Sequence, residues 1–164
     1  MLGLSFTGFG AQARAAIAFG VVLSCLPACT GSPEPDRAGA TQYFKSNIPN
    51  VPFSAAVRVG EVVYLSGQIG ISADGKLAPD FSEQARQTMS NVGDALHQAG
   101  LSFDDVFKCT VMMADMSHWE DFNKIYIGYF KPERLPARSA IGANGLARGA
   151  QLELECLART RPWP

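Results

Sequence analysis

The sequence predicts an α+β domain in which a mixed β-sheet carries two helices packed on one face. Three observations point there. Strand-like and helix-like segments follow one another as strand pair, helix, strand, helix, strand pair. Only two segments show helical periodicity, too few to cover both sides of a sheet, so both are expected on the same side. A content of 47% hydrophobic and 18% charged residues in 164 residues supplies enough apolar material for one core.

Each element has a local reason. "AAVRVGEVVYLSGQIG" holds two runs of β-formers around Gly60 and Glu61, the pattern of a hairpin. "DGKL", from Asp74 to Leu77, is a second turn. Phe81, Ala85, Met89, Val92, Leu96 and Ala99 then recur every three or four residues, one apolar face of a helix that Gly100 stops. "VFKCTVMMAD" follows as a strand. Ser117 and Glu120 have the spacing of a capping box, which would open a second helix with Phe122, Ile125, Tyr126 and Tyr129 turned inward. "PARSAIGA" and "AQLELECLA" close the chain as two strands around "NGLARG". In the last strand Leu152, Leu154, Cys156 and Ala158 alternate with Glu153 and Glu155, so one side is apolar. The sheet face without helices would be left open, and apolar side chains pointing that way predict an oligomer.

The first residues differ in kind. Residues 1–28 contain no acid and one basic residue, Arg14, followed by the apolar run "AAIAFGVVLSC" and then "LPAC". That order reads as a secretory signal over 1–28. "LPAC" is similar to a bacterial lipobox, which makes Cys29 the expected lipidation site. The protein is then exported, periplasmic and held to the membrane through the lipid alone. The alternatives are a mis-assigned start codon, which would leave the protein cytoplasmic, or a buried helix. Residues 29–42 are rich in Pro, Gly and small polar side chains and read as a flexible tether, with the folded domain spanning 43–161. No apolar run in the body of the chain is long enough to cross a bilayer. With Cys25 and Cys29 in the signal region, Cys109 and Cys156 remain, expected as buried thiols that pack as small hydrophobes. No C-x-x-C pattern suggests a metal. A net charge of −1 without basic runs offers no footprint for nucleic acid.

Two residues carry candidate chemistry. Arg138 follows Pro136, whose ring sets the direction in which the strand begins. Its planar guanidinium matches a carboxylate through two parallel hydrogen bonds. From position alone, the plainer reading is a surface arginine paired with a nearby acid. Glu153 shares a strand face with Glu155 and is normally just the wet side of a sheet; covered by an oligomer, it would be desolvated and able to orient water or move a proton. His97 and His118 have no metal-ligand partners at suitable spacing and are expected to face solvent. Ser66 lies in "SGQIG", which lacks the context of a phosphate loop, and it has no base beside it for a hydrolase triad. Gly67 would let a ligand approach the backbone closely.

The blocks "VRVGEVVYLSGQIG", "QARQTMSNVGDALHQAG", "DDVFKCTVMMADM", "FNKIYIGYF", "PARSAIG" and "LELECLA", in this order from Tyr43 to about Arg159, resemble the RidA (YjgF) family, once labelled endoribonuclease L-PSP. The resemblance implies a chorismate-mutase-like fold, a homotrimer with pockets at its interfaces, and no metal or cofactor. It implies hydrolysis of reactive enamines and imines, such as 2-aminoacrylate, 2-iminopropanoate or 2-iminobutanoate, to 2-oxo acids and ammonia. Carried over residue by residue, it makes Arg138 the carboxylate anchor and Glu153 the partner of the attacking water. Ser66, Gly67, Phe53 and Ser139 become substrate-binding positions, and Asn123 and Tyr126 structural ones. Phe53 stands where many deaminating members carry tyrosine, and Ala140 where many carry a reactive cysteine. A deaminase is therefore the first expectation. A non-catalytic module for small carboxylates is the alternative, and a ribonuclease is disfavoured by the charge.

Overall fold

The computed structural model describes residues 41–160; the predicted signal with Cys29, and all but the end of the tether, lie outside them. Strands β1 (Gln42–Lys45), β2 (Ser54–Val59), β3 (Val62–Leu65) and β4 (Gln68–Ile69) precede helix α1 (Phe81–Gln98). Strand β5 (Val106–Met113), helix α2 (Trp119–Tyr126) and strands β6 (Ala137–Gly142) and β7 (Leu152–Arg159) complete the described chain. The sheet order is β1-β2-β3-β7-β5-β6, with β4 also paired to β7. Every pairing is antiparallel except β5 with β6, which makes the sheet mixed.

The predicted hairpin is β2–β3, turning at Gly60 with φ of 61°, a left-handed conformation that a glycine adopts without a steric cost. The last two strands are not neighbours as a closing pair would be. β5 lies between them, parallel to β6 and antiparallel to β7. A parallel neighbour needs a crossover, and α2 supplies it.

Helix α1 lays Phe81, Ala85, Met89, Val92 and Leu96 against the sheet, all buried. Its start is fixed by the Asp80 carboxylate, which accepts from the Glu83 backbone N–H at 2.9 Å, and Gly100 at φ 73° follows its end. Helix α2 begins otherwise than its sequence suggests. The Asp115 carboxylate accepts from the Ser117 N–H at 2.8 Å and opens a short 3-10 turn, Met116–His118, from which α2 runs on without a side-chain cap. The Ser117–Glu120 box does not form. Tyr129 falls in a 3-10 turn after α2 and packs against the core there. His118 is half-buried and stacks on Phe81, with ring centroids 4.3 Å apart, rather than facing solvent.

Both helices contribute to one core on one side of the sheet, with Met89, Leu96, Phe122, Met113, Leu152 and Leu154 fully buried. Each such side chain contributes roughly 1.5–3 kcal/mol. Cys109 and Cys156 face this core, but as a disulfide rather than as two thiols. They are direct register partners on β5 and β7, so an antiparallel pair brings their side chains to the same point. On the opposite face Tyr43, Val57, Tyr64 and Leu157 are successive cross-strand partners, with Tyr43 largely and Tyr64 about half exposed.

Candidate active site

Arg138 is paired in register with Cys109, which places it on the helix side of the sheet. There α2 meets it. Trp119, Asn123 and Tyr126 stand at intervals of four and three, so one helix face presents all three to the guanidinium. The Arg138 Cζ lies 4.4 Å from the Trp119 ring centroid and 4.6 Å from that of Tyr126, with Phe122 at 6.0 Å. Such contacts contribute about 0.5–2 kcal/mol each. Nη2 donates to the Asn123 Oδ1 at 2.7 Å, which fixes the remaining rotation. Among the described residues Arg138 makes no ion pair, and its Nη1 is buried without a hydrogen-bond partner. The expectation of a surface arginine neutralised by a nearby acid is not met.

The hydroxyl of Tyr126 is likewise buried and unpartnered, and burial pushes its pKa up to about 12, against the opposing pull of the Arg138 charge. Beside the guanidinium opens a cavity of about 340 Å³, walled by Trp119, Tyr126, Ile127, Leu135 and Pro136.

Glu153 lies on the other side of the same sheet, between the buried Leu152 and Leu154. Its register partners are Met112 on β5 and Ile69 on β4. Its carboxylate occupies the space above Gly67; a Cβ there would come within 2.0 Å of Oε1. Gly67 is therefore a close-approach glycine, and what approaches is this carboxylate. Burial raises the Glu153 pKa, and the charge of Glu155 adds to the rise. Ser66 adjoins, but its hydroxyl is committed, donating to the Ser54 carbonyl at 2.7 Å.

The structure thus brings Glu153, Gly67 and Ser66 together and holds Arg138 apart from them. Ser139 is exposed on the Glu153 side, where its hydroxyl accepts from Lys108 Nζ at 2.9 Å. Phe53, just before β2, is 50% exposed, so its ring is half available to whatever covers it. Trp119 was not singled out by the sequence reading, although the Trp119–Phe122–Tyr126 spacing marks one aromatic helix face. The aromatic stripe expected as core is core at Phe122 and also the seat of Arg138.

A profile of the family described as Endoribonuclease L-PSP matches residues 44–160. The chain belongs to this family, the RidA (YjgF) family. A relative from Mus musculus, a 2-iminobutanoate/2-iminopropanoate deaminase, is 40% identical over 114 residues, which cover 68% of this chain and 84% of the relative. RidA from an Antarctic Psychrobacter matches in structure with a TM-score of 0.68 at 30% identity, covering 72% of this chain and 98% of that one. E. coli TdcF, solved with bound serine, matches with a TM-score of 0.67 at 29% identity, covering 74% and 99%. The α+β fold with a mixed sheet and two helices is that of the RidA family.

Proposed function

We propose that this RidA-family chain hydrolyses 2-imino acids and their enamine tautomers to 2-oxo acids and ammonia, in a site assembled between copies of the chain. The observation that carries the reading is Arg138: a guanidinium seated on two rings, steered by Asn123, with no acid paired to it among the described residues. A fixed cation without a counter-charge suits a ligand carboxylate, and hydrogen bonds to charged groups contribute about 1.5–3 kcal/mol each. The deaminase name of the Mus musculus relative and the serine bound to TdcF agree with an amino-acid-like ligand.

Arg138 and Glu153 emerge from opposite faces of one sheet, so one chain cannot bring both to one substrate. A second copy laid against the open face can. The exposed Tyr43, Tyr64 and Ile141 on that face favour such packing, and a homotrimer is the assembly proposed. In the assembled site Arg138 holds the carboxylate and sets the C=N carbon before a water. Glu153, its pKa raised, takes a proton from that water as it adds to carbon. That proton passes to nitrogen to give the carbinolamine, the hydroxyl proton then moves to the amine, the C–N bond breaks, and ammonia leaves with the 2-oxo acid behind. Positioning suffices, because the imine is already electrophilic. The Cys109–Cys156 disulfide favours an oxidising compartment and so the exported reading.

The test supplies 2-iminopropanoate from an amino-acid oxidase and follows its decay. The mature protein is expected to accelerate decay, and Arg138→Ala to abolish the acceleration. An Arg138→Ala variant as fast as the wild type removes the proposal. The exposed Phe53, without a hydroxyl, favours one second reading, a small-carboxylate binding module. Calorimetric binding of 2-oxo acids without turnover would select it.

A further inference from the structure

Of the space around Arg138, the cavity between α2 and β6 is the part that the proposed chemistry leaves unused. It measures about 340 Å³, within the range of small-ligand pockets. An acid of three or four carbons anchored at the guanidinium would leave most of it empty. Its walls are apolar: the Trp119 ring begins where the guanidinium ends, and Ile127, Leu135 and Pro136 continue the surface. Two of these apolar walls are open to solvent. Ile127 is 56% and Leu135 52% exposed, and they come from separate segments, one after α2 and one before β6. Ala140 also lines the cavity, and its small side chain keeps the floor open.

We propose that this cavity is the subsite for the substrate's side chain, and that it selects imines derived from branched-chain and aromatic amino acids over the imine of alanine. The proposal rests on Arg138 as the carboxylate anchor. With the carboxylate on the guanidinium, the side chain lies along Trp119 and covers Ile127 and Leu135. Each buried methylene is worth about fourfold in an equilibrium constant. Three more carbons than a methyl group therefore predict a preference of at least tenfold, with allowance for imperfect contact.

The experiment compares imines generated by an amino-acid oxidase from leucine, phenylalanine and alanine, with kcat/KM as the readout. In parallel, calorimetry measures Kd for 4-methyl-2-oxopentanoate, phenylpyruvate and pyruvate, which bind without reacting. The leucine- and phenylalanine-derived imines are expected to exceed the alanine-derived imine at least tenfold, and the Kd values to follow the same order. Leu135→Trp, which fills the cavity from its rim, should reduce the leucine-to-alanine ratio at least tenfold. Ile127→Ser, which makes a wall polar, should reduce it in the same direction. An equal or reversed order in the wild type, or ratios unmoved by both variants, overturns the subsite. If no imine is accelerated, the deaminase reading fails alone, and the order of Kd values still decides the subsite. Absence of both turnover and binding overturns the two together.

Discussion

On the helix-covered side of the sheet, Arg138, Cys109 and Cys156 stand in one row across β6, β5 and β7. On the other side the next row is Ser139, Thr110 and Glu155, and beyond it Ile141, Met112 and Glu153. The same three strands build both rows from alternate residues, yet the two candidate charges are held very differently. The guanidinium is immobilised by ring contacts and one hydrogen bond. The half-buried carboxylate leans on Gly67. A cation set in aromatic packing makes a rigid anchor, whereas a carboxylate left adjustable can follow a proton. The sheet itself, whose alternate side chains point to opposite faces, keeps the two from neutralising each other within one chain.

The largest effect should come from breaking the anchor side. Arg138→Met keeps the apolar stem and removes two charged hydrogen bonds to the ligand, about 3–6 kcal/mol. That corresponds to a loss of roughly 10²–10⁴ in kcat/KM. Stability should change little, because the loss of the ring contacts and the Asn123 hydrogen bond is offset by removal of a buried, unpartnered N–H and by the packing of the methionine stem. Initial rates and a thermal melt on the same sample check both halves. A variant that unfolds would turn the guanidinium into a structural element and erase the contrast between the two faces.

The disulfide gives the next effect. Its cysteines are 47 residues apart, and closing a loop of that length stabilises a fold by about 4 kcal/mol on chain-entropy grounds. Cys109→Ala/Cys156→Ala should lower the urea midpoint accordingly, and a reductant should shift the wild type but not the variant. Insensitivity of the wild type would place two thiols, not a bond, behind Arg138.

Why the sequence showed one side of this sheet better than the other is physical. Leu152 to Ala158 alternate so cleanly that the face of Glu153 could be read directly, and the three-four spacing of α1 was equally plain. No alternation of apolar and polar residues marks the sequence of β6, and none of its residues is fully buried. The face of Arg138 is decided only when β6 is laid parallel to β5 with Cys109 beside it, a partnership across α2 that no local pattern carries. For the same reason β6 and β7, close in sequence, looked like a hairpin, and the insertion of β5 between them stayed hidden. The disulfide depends on that insertion and was missed with it. At α2, Ser117 and Glu120 had the right spacing, but Asp115 reached the Ser117 N–H first and diverted the chain into a 3-10 turn.

The smallest effect belongs to the Glu153 side and sharpens the comparison through pH. Burial raises its pKa and the Glu155 charge adds to the rise, so the folded value lies above the ordinary glutamate value of about 4.3. The folded state thus binds this proton more tightly than the unfolded chain does. The stability it contributes is complete below the unfolded pKa and is lost as pH rises through the folded one. Glu153→Gln removes that dependence, so the variant should gain on the wild type between acidic and neutral pH. Solvent around the partly exposed carboxylate keeps the gain small. In activity the same shift places the acidic limb of the kcat/KM profile above the usual carboxylate range. Glu155→Gln, which removes one of the two causes, should move that limb to lower pH while the Arg138 side is untouched. A limb that stays in place in the Glu155 variant would mean that burial alone sets the Glu153 proton, and that the neighbouring charge is too well solvated to reach it.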